Sequence, residues 1–163
     1  MAESLREQEI LARQVHSALS AAGSTVSVAE SLTGGRLAVA LSEAPGASSV
    51  FLGSVTAYAT EIKAKVLGVS GSLLAERGAV DADVARQMAE GVRKLMRTTY
   101  ALATTGVAGP APQDGHEPGT FYVAVAGPLG TAVVRSDIGG TRDEVEHAAV
   151  VLALKALHDF LRP

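Results

Sequence analysis

The sequence predicts an α/β fold, a single-domain α/β/α sandwich with a mixed β-sheet spanning residues 1–163. Three observations carry that expectation. Helical and strand patterns interleave along a chain of 163 residues, a length suited to one compact domain. Hydrophobic residues make up 47% and charged residues 19%, enough apolar material to cover a sheet on both faces. The last two strand patterns are joined by the short turn "GPLG" at 127–130, a hairpin that brings antiparallel pairing into the sheet.

In order, residues 4–22 place Leu5, Ile10, Leu11, Val15, Ala18 and Leu19 at spacings that suit an amphipathic helix stopped by Gly23. "TVSVAE" (25–30) alternates β-branched and small residues and reads as a short strand. Residues 33–43 read as a helix closed by "APG", and 49–58 as a second strand. "TEIKAKVLGV" (60–69) reads as a helical turn followed by a loop, and 70–77 as a short helix. In 81–97, Asp81 can cap a helix whose apolar stripe is Val84, Met88, Val92, Leu95 and Met96. Strands follow at "TYALATTG", "GTFYVAVAG" and "GTAVVRSDI". A last helix over 141–161 has Thr141 as its cap and Asp143 and Glu144 in its first turn. The irregular stretch at 105–119, "TGVAGPAPQDGHEPG", is long for a compact domain, and its prolines favour a shaped loop.

Composition narrows the function classes. A net charge of −3 and a pI of about 5.8, with Arg and Lys scattered, argue against nucleic acid as a partner. The absence of cysteine excludes disulfides, thiolate metal sites and a cysteine nucleophile. His16, His116, His147 and His158 form no short-spaced pair, so no metal site is expected. The charged N-terminal stretch lacks the apolar core of a signal peptide, and no segment has the length and apolarity of a membrane span. A cytoplasmic location and no membrane partner are therefore expected.

Two segments share one layout. "VSVAESLTGG" and "ALATTGVAGP" each run from strand to hydroxyl residues to glycines. Such loops at the carboxyl ends of strands admit a small anionic ligand, because glycines let backbone N–H groups approach it and a following helix adds its dipole. Ser31 reads either as a helix cap or turn residue or as a nucleophile. Thr33 serves equally well as the cap, which leaves Ser31 without a structural reason. Glu30 is either a charged partner in the site or a surface acid. A serine nucleophile needs a base, and lysine is scarce, four against ten arginines. Lys63, in "AYATEIKAK", qualifies if burial lowers its pKa, although its spacing alone reads Lys63 and Lys65 as solvated helix-face charges. Tyr58 either relays a proton or packs its ring. Arg142 opposes the helix dipole at the start of the last helix, and either pairs with Asp143, Glu144 or Glu146 or reaches a ligand anion. His116 reads as an exposed polar residue and Asp114 as a turn support.

Together, "AESLTGG", "AYATEIKAKVLGV", "TTGVAGPAPQDG…GT" and "GGTRDEV" resemble, in order and spacing, the C-terminal domain of CinA, the competence/damage-inducible protein. The stand-alone form of that domain resembles PncC, the nicotinamide-nucleotide amidase. The resemblance covers roughly residues 8 to 161. It implies a CinA C-terminal-like fold without the N-terminal molybdopterin-binding-like domain of full-length CinA. It further implies hydrolysis of the carboxamide of nicotinamide mononucleotide to nicotinate mononucleotide and ammonia, in recycling toward NAD. Carried onto this chain, it implies Ser31, Lys63 and Tyr58 as catalytic residues, Ser31 as nucleophile and Lys63 as the base that takes its proton directly or through Tyr58. For substrate binding it implies Arg142 and the loop residues Thr104, Thr105, Gly106 and Gly109, with Glu30, Thr33, Gly34 and Gly35 on the first loop. Amides near Thr33, Gly34 and Gly35 would hold the oxyanion. No cofactor is implied; a nucleotide substrate and a homo-oligomer are. The chain departs from the pattern at Leu32, where relatives often have cysteine, and at Glu146, where many have a second arginine. The 110–119 loop also lacks their lysine-proline-valine stretch. Those departures leave a second expectation, a non-catalytic module of the same fold that binds a nucleotide or a protein.

Overall fold

The computed structural model describes residues 2–162. Its elements run α1 (Ala2–Ala21), β1 (Val26–Glu30), α2 (Arg36–Ser42), a 3₁₀ turn (Ala47–Ser49), β2 (Phe51–Thr56), α3 (Thr60–Leu67), α4 (Gly71–Arg77), α5 (Ala82–Met96), β3 (Tyr100–Gly106), β4 (Thr120–Gly127), β5 (Gly130–Asp137) and α6 (Arg142–Phe160). The sheet order is β2-β1-β3-β4-β5. β1 pairs in parallel with β2 and β3, while β3–β4 and β4–β5 are antiparallel. The expected mixed sheet and α/β/α sandwich are therefore what forms.

Each face of the sheet has its own core. On one, Val15 and Leu19 of α1, Leu37 and Leu41 of α2, and Val145, Leu154 and Leu157 of α6 pack on Val28, Leu102, Val123 and Val125. On the other, Val84, Met88 and Val92 of α5 pack with Leu67 against Ala101, Ala103 and Ala124. Small residues on that face let α5 lie close to the strands. Among the described residues, no helix is long and apolar enough to cross a membrane.

Several local expectations are met. Asp81 caps α5, accepting from the Asp83 and Val84 amides at 2.7 and 3.3 Å. Thr141 and Glu144 form a reciprocal capping box at α6. Three differences have physical causes. The stretch predicted as a turn and loop forms the two-turn helix α3, whose amphipathic side packs on α5. A Cβ at Gly91 of α5 would overlap the Leu67 carbonyl, so the missing side chain there is what lets α3 sit down on α5. Leu95 lies 53% exposed, because Ala85 and Ala89 complete the buried stripe of α5 in its place. On α1, Ala12, Val15 and Leu19 face inward, while Leu5 and Ile10 lie off that stripe and are exposed.

The geometry that matters for function is at one edge. The carboxyl ends of parallel strands β1, β2 and β3, the entry to β4 and the approach from β5 to α6 all lie on the same side. β1 sits between β2 and β3, so the loops leaving it diverge from a point where the strand order reverses, the usual location for a ligand site.

Candidate active site

β1 is buried along its whole length and delivers Glu30 and Ser31 to that edge. The turn at 31–35 follows, and α2 begins only at Arg36, three residues later than its pattern predicts. Its N-cap is Gly35 at φ 105, with no side-chain capping bond from that residue. Neither Ser31 nor Thr33 caps it. Glu30 does: one carboxylate oxygen accepts from the Leu37 amide at 2.8 Å and the other from the Ala38 amide at 3.0 Å. The Thr33 hydroxyl donates to the same carboxylate at 2.6 Å. A carboxylate at a helix N-terminus satisfies otherwise unpaired amides and meets the positive end of the dipole. Glu30 is thus neither a surface acid nor a ligand contact; it is fully buried and committed to the fold.

That leaves Ser31 free of structural duty. Its amide donates to the Thr104 carbonyl at 3.0 Å, which fixes the backbone, while its side chain keeps slight exposure, 9% for the residue. Lys63 reaches it from the first turns of α3. Lys63 is 1% exposed, which corrects the helix-face reading of its spacing. Its Nζ donates to the Ser31 hydroxyl oxygen at 2.9 Å, to the Ala57 carbonyl at 2.8 Å and to the Tyr58 carbonyl at 3.5 Å. Burial lowers its pKa from 10.5 to about 8, with the charge of Asp114 acting in the opposite direction. The coordination suits both protonation states. An ammonium fills all three acceptors. A neutral amine keeps two N–H groups for the carbonyls and turns its lone pair to the Ser31 O–H. Of the first loop's amides, Gly34 donates to the Ser31 carbonyl at 3.1 Å and is not available to an oxyanion. The amides of Leu32, Thr33 and Gly35 have no acceptor among the described residues.

The remaining expected residues divide sharply. The Thr104 hydroxyl is buried against the Thr33 hydroxyl at 2.8 Å, and the Thr105 hydroxyl donates to the Ala79 carbonyl at 2.7 Å. Both side chains, like that of Thr33, are buried and hydrogen-bonded within the fold, which differs from the ligand-facing position expected of them. At Gly106 a Cβ would collide with Phe121 of β4, so packing explains that glycine. Gly109 contributes its carbonyl, which accepts from Arg142 at 2.8 Å.

Of the two roles weighed for Arg142, the structure shows the pairing with an acid of its own helix. Arg142 pairs with Glu146 at 2.9 Å and also donates to the Tyr58 phenolic oxygen at 2.9 Å. Tyr58 is 60% exposed at the rim. Its phenol is held by Arg142 and makes no hydrogen bond to Ser31 or Lys63, whose amine and hydroxyl meet directly without it. Glu146, 6% exposed, bridges Arg142 to Arg36, whose Nε donates to it at 2.8 Å. Arg36 and Asp114 escaped sequence reasoning as site residues. The signal for Arg36 was its place just behind the two glycines; Asp114 gave none beyond its turn propensity.

Chemically, the site is a buried amine in contact with a reachable hydroxyl, next to unpaired amides and an arginine-bearing rim. The model of the CinA C-terminal domain family matches residues 8–161. The chain belongs to that family. It is 48% identical over 137 residues to a CinA-like protein of Frankia casuarinae, covering 84% of this chain and 32% of the relative. It is 40% identical over 159 residues to a CinA-like protein of Prochlorococcus marinus, covering 96% and 38%. The chain thus spans about a third of the length of these curated relatives. Among solved structures, the competence/damage inducible protein CihA of Agrobacterium tumefaciens superposes with a TM-score of 0.91 at 35% identity, covering 96% of both chains. A CinA superfamily protein of Klebsiella pneumoniae does so with a TM-score of 0.91 at 32% identity, covering 94% of this chain and 97% of that one.

Proposed function

We propose that this CinA-type domain is an amidohydrolase that converts nicotinamide mononucleotide and water to nicotinate mononucleotide and ammonia. The observation that carries the reading is the 2.9 Å contact between the Ser31 hydroxyl and a Lys63 amine buried to 1% exposure. Burial brings that amine to about 8, where it exchanges protons near neutral pH. A binder has no need of so costly a burial.

In the first half-reaction neutral Lys63 takes the Ser31 proton as Oγ attacks the carboxamide carbon. The oxyanion is held by the free amides of the 31–35 turn, where each well-placed donor is worth about 3 kcal/mol. The tetrahedral adduct collapses as the Lys63 ammonium passes its proton to the leaving nitrogen, and ammonia departs. In the second half, Lys63 deprotonates a water that attacks the acyl-serine, and the carboxylate is released with Ser31 reprotonated. Arg142 and its neighbour Arg36 at the rim supply positive charge for the nucleotide phosphate. In this reading Ser31 and Lys63 are catalytic, and Arg142 binds substrate by exchanging part of its contacts with Glu146 and Tyr58 for the phosphate.

The test is incubation with nicotinamide mononucleotide in EDTA, following ammonia and nicotinate mononucleotide, beside Ser31→Ala. Turnover by the parent and at least a thousandfold less by the variant is expected. Binding of the mononucleotide without turnover by the parent would replace the amidase with a binding module.

A further inference from the structure

Two arginines from different helices meet over one carboxylate at the rim of the site. Glu146 of α6 gives one oxygen to each. Its Oε2 accepts from Arg36 of α2, 2.8 Å from Nε and 2.7 Å from a terminal nitrogen, and its Oε1 lies 2.9 Å from Nε of Arg142. The Glu146 side chain is 8% exposed, against 51% for Arg36 and 48% for Arg142. The acid therefore lies beneath, and the two guanidinium groups face outward. Asp143, also on α6, takes a further bond from Arg36 at 3.1 Å. Two cations and two carboxylates thus leave no net charge at this rim. Donors remain nonetheless, because a guanidinium carries five N–H groups. One terminal nitrogen of Arg36 has no hydrogen-bond partner among the described residues. Arg142 meets Glu146, Gly109 and Tyr58 through one nitrogen each, which leaves an N–H on both of its terminal nitrogens.

We propose that Glu146 is a positioning residue that sets substrate specificity: through Arg36 and Arg142 it fixes how strongly the rim favours a phosphorylated amide over the same amide without phosphate. The inference deepens the amidase reading and rests on it for its kinetic consequence, but not for its anion-binding one. A phosphate entering the rim finds free N–H donors, which orient it. It finds no net positive charge, and its oxygens compete with a carboxylate already seated on both arginines. Burial makes that competition strong, because solvent and salt screen Glu146 less than they screen a surface acid. Asp143 is 69% exposed and opposes a phosphate far less. Glu146 is also what allows two like charges, one from α2 and one from α6, to share a single opening. The same side chain gathers the arginines and moderates them. Selectivity for the anion is thus set from below the rim, by a group that the ligand does not touch.

Glu146→Gln removes the charge and keeps an oxygen for one arginine. Glu146→Asp keeps the charge on a shorter side chain, and Asp143→Asn removes the exposed charge alone. Binding of inorganic phosphate is followed by phosphorus NMR titration at low ionic strength. In parallel, kcat/KM is measured for nicotinamide mononucleotide and for its riboside, which lacks the phosphate. Glu146→Gln is expected to tighten phosphate binding about tenfold. The mononucleotide-to-riboside ratio should rise by the same factor, in KM of the mononucleotide and not in kcat. Glu146→Asp should keep the parent's preference, and Asp143→Asn should move both quantities in the same direction by about twofold. Unchanged phosphate affinity in Glu146→Gln overturns the proposal, as does unchanged affinity in Asp143→Asn should Glu146→Gln fail to fold. An equal gain in Glu146→Asp also overturns it, since length and not charge would then be the cause. So does weaker phosphate binding in Glu146→Gln at an unchanged melting temperature, which would reduce Glu146 to a support for the arginines. Tighter phosphate binding in a protein that turns over neither amide supports the proposal while removing the amidase reading. Turnover of both amides with an unmoved ratio and unmoved phosphate affinity removes the proposal and leaves the amidase.

Discussion

Replacing Lys63 by Met should abolish turnover and remove from the fold a burial cost that depends on pH. Holding an amine at about 8 instead of 10.5 costs about 3 kcal/mol, at about 1.4 kcal/mol per pH unit. The sign follows from proton counting. Below about pH 8 the amine is charged in both states, and the folded state carries the whole penalty. Between about 8 and 10.5 the unfolded chain binds more protons, so stability rises with pH. Above 10.5 both states are neutral and the penalty is gone. Methionine fills a similar volume without charge, and the hydrogen bonds to Ser31, Ala57 and Tyr58 are lost at every pH. The informative quantity is therefore a difference of differences. The stability of Lys63→Met relative to the parent, from urea denaturation, should be about 3 kcal/mol more favourable at pH 7 than at pH 10.5. If the two curves run parallel across that range, Lys63 titrates as an ordinary lysine and the argument that burial prepares it as a base fails.

In the parent, kcat/KM should rise through an acid limb with a midpoint near pH 8, the value for Lys63 in the free enzyme; a midpoint below 7 would implicate another base. Glu30→Ala should cost about 3 kcal/mol, because it strands the Leu37 and Ala38 amides and the Thr33 hydroxyl in a buried site; chemical denaturation would read this, and a loss under 1 kcal/mol would show that the cap is dispensable. Gly91→Ala should destabilise by about 2 kcal/mol despite the better helix propensity of alanine, since the methyl group meets the Leu67 carbonyl. The same displacement of α3 should lower kcat, because Lys63 lies one turn before Leu67.

The layered fold was legible because periodicity records which face of an element is buried. The cap at Asp81, the capping box at Thr141 and the "GPLG" hairpin were legible because each is local chemistry over a few residues. The status of Lys63 was not. A lysine on a short helix looks solvated until α3 is set against α5 with Lys63 reaching the turn after β1, and those contacts connect residues far apart in the chain. The same limit explains Glu30, Thr33, Thr104 and Thr105. Their polar side chains beside glycines match what a ligand loop requires, but three-dimensional pairing consumes them. Glu30 spends its carboxylate on a helix seven residues onward, and the two threonines of β3 point to opposite faces of the sheet because strand side chains alternate. Serine and lysine were nameable from motif resemblance. Their 2.9 Å contact was not, because 32 positions separate them.

β2 is an outermost strand: it pairs with β1 alone and leaves Leu52, Ser54 and Thr56 exposed. Ser31 issues from a fully enclosed strand, whereas Lys63 is delivered by the chain leaving this half-secured one. Local opening of the β2–α3 segment therefore removes the amine while Ser31 stays in register. The two halves of the proposed catalytic pair then have different thermal lifetimes, and the proposed activity should disappear on warming before the sheet melts, with amides of α3 exchanging hydrogen ahead of those in β1.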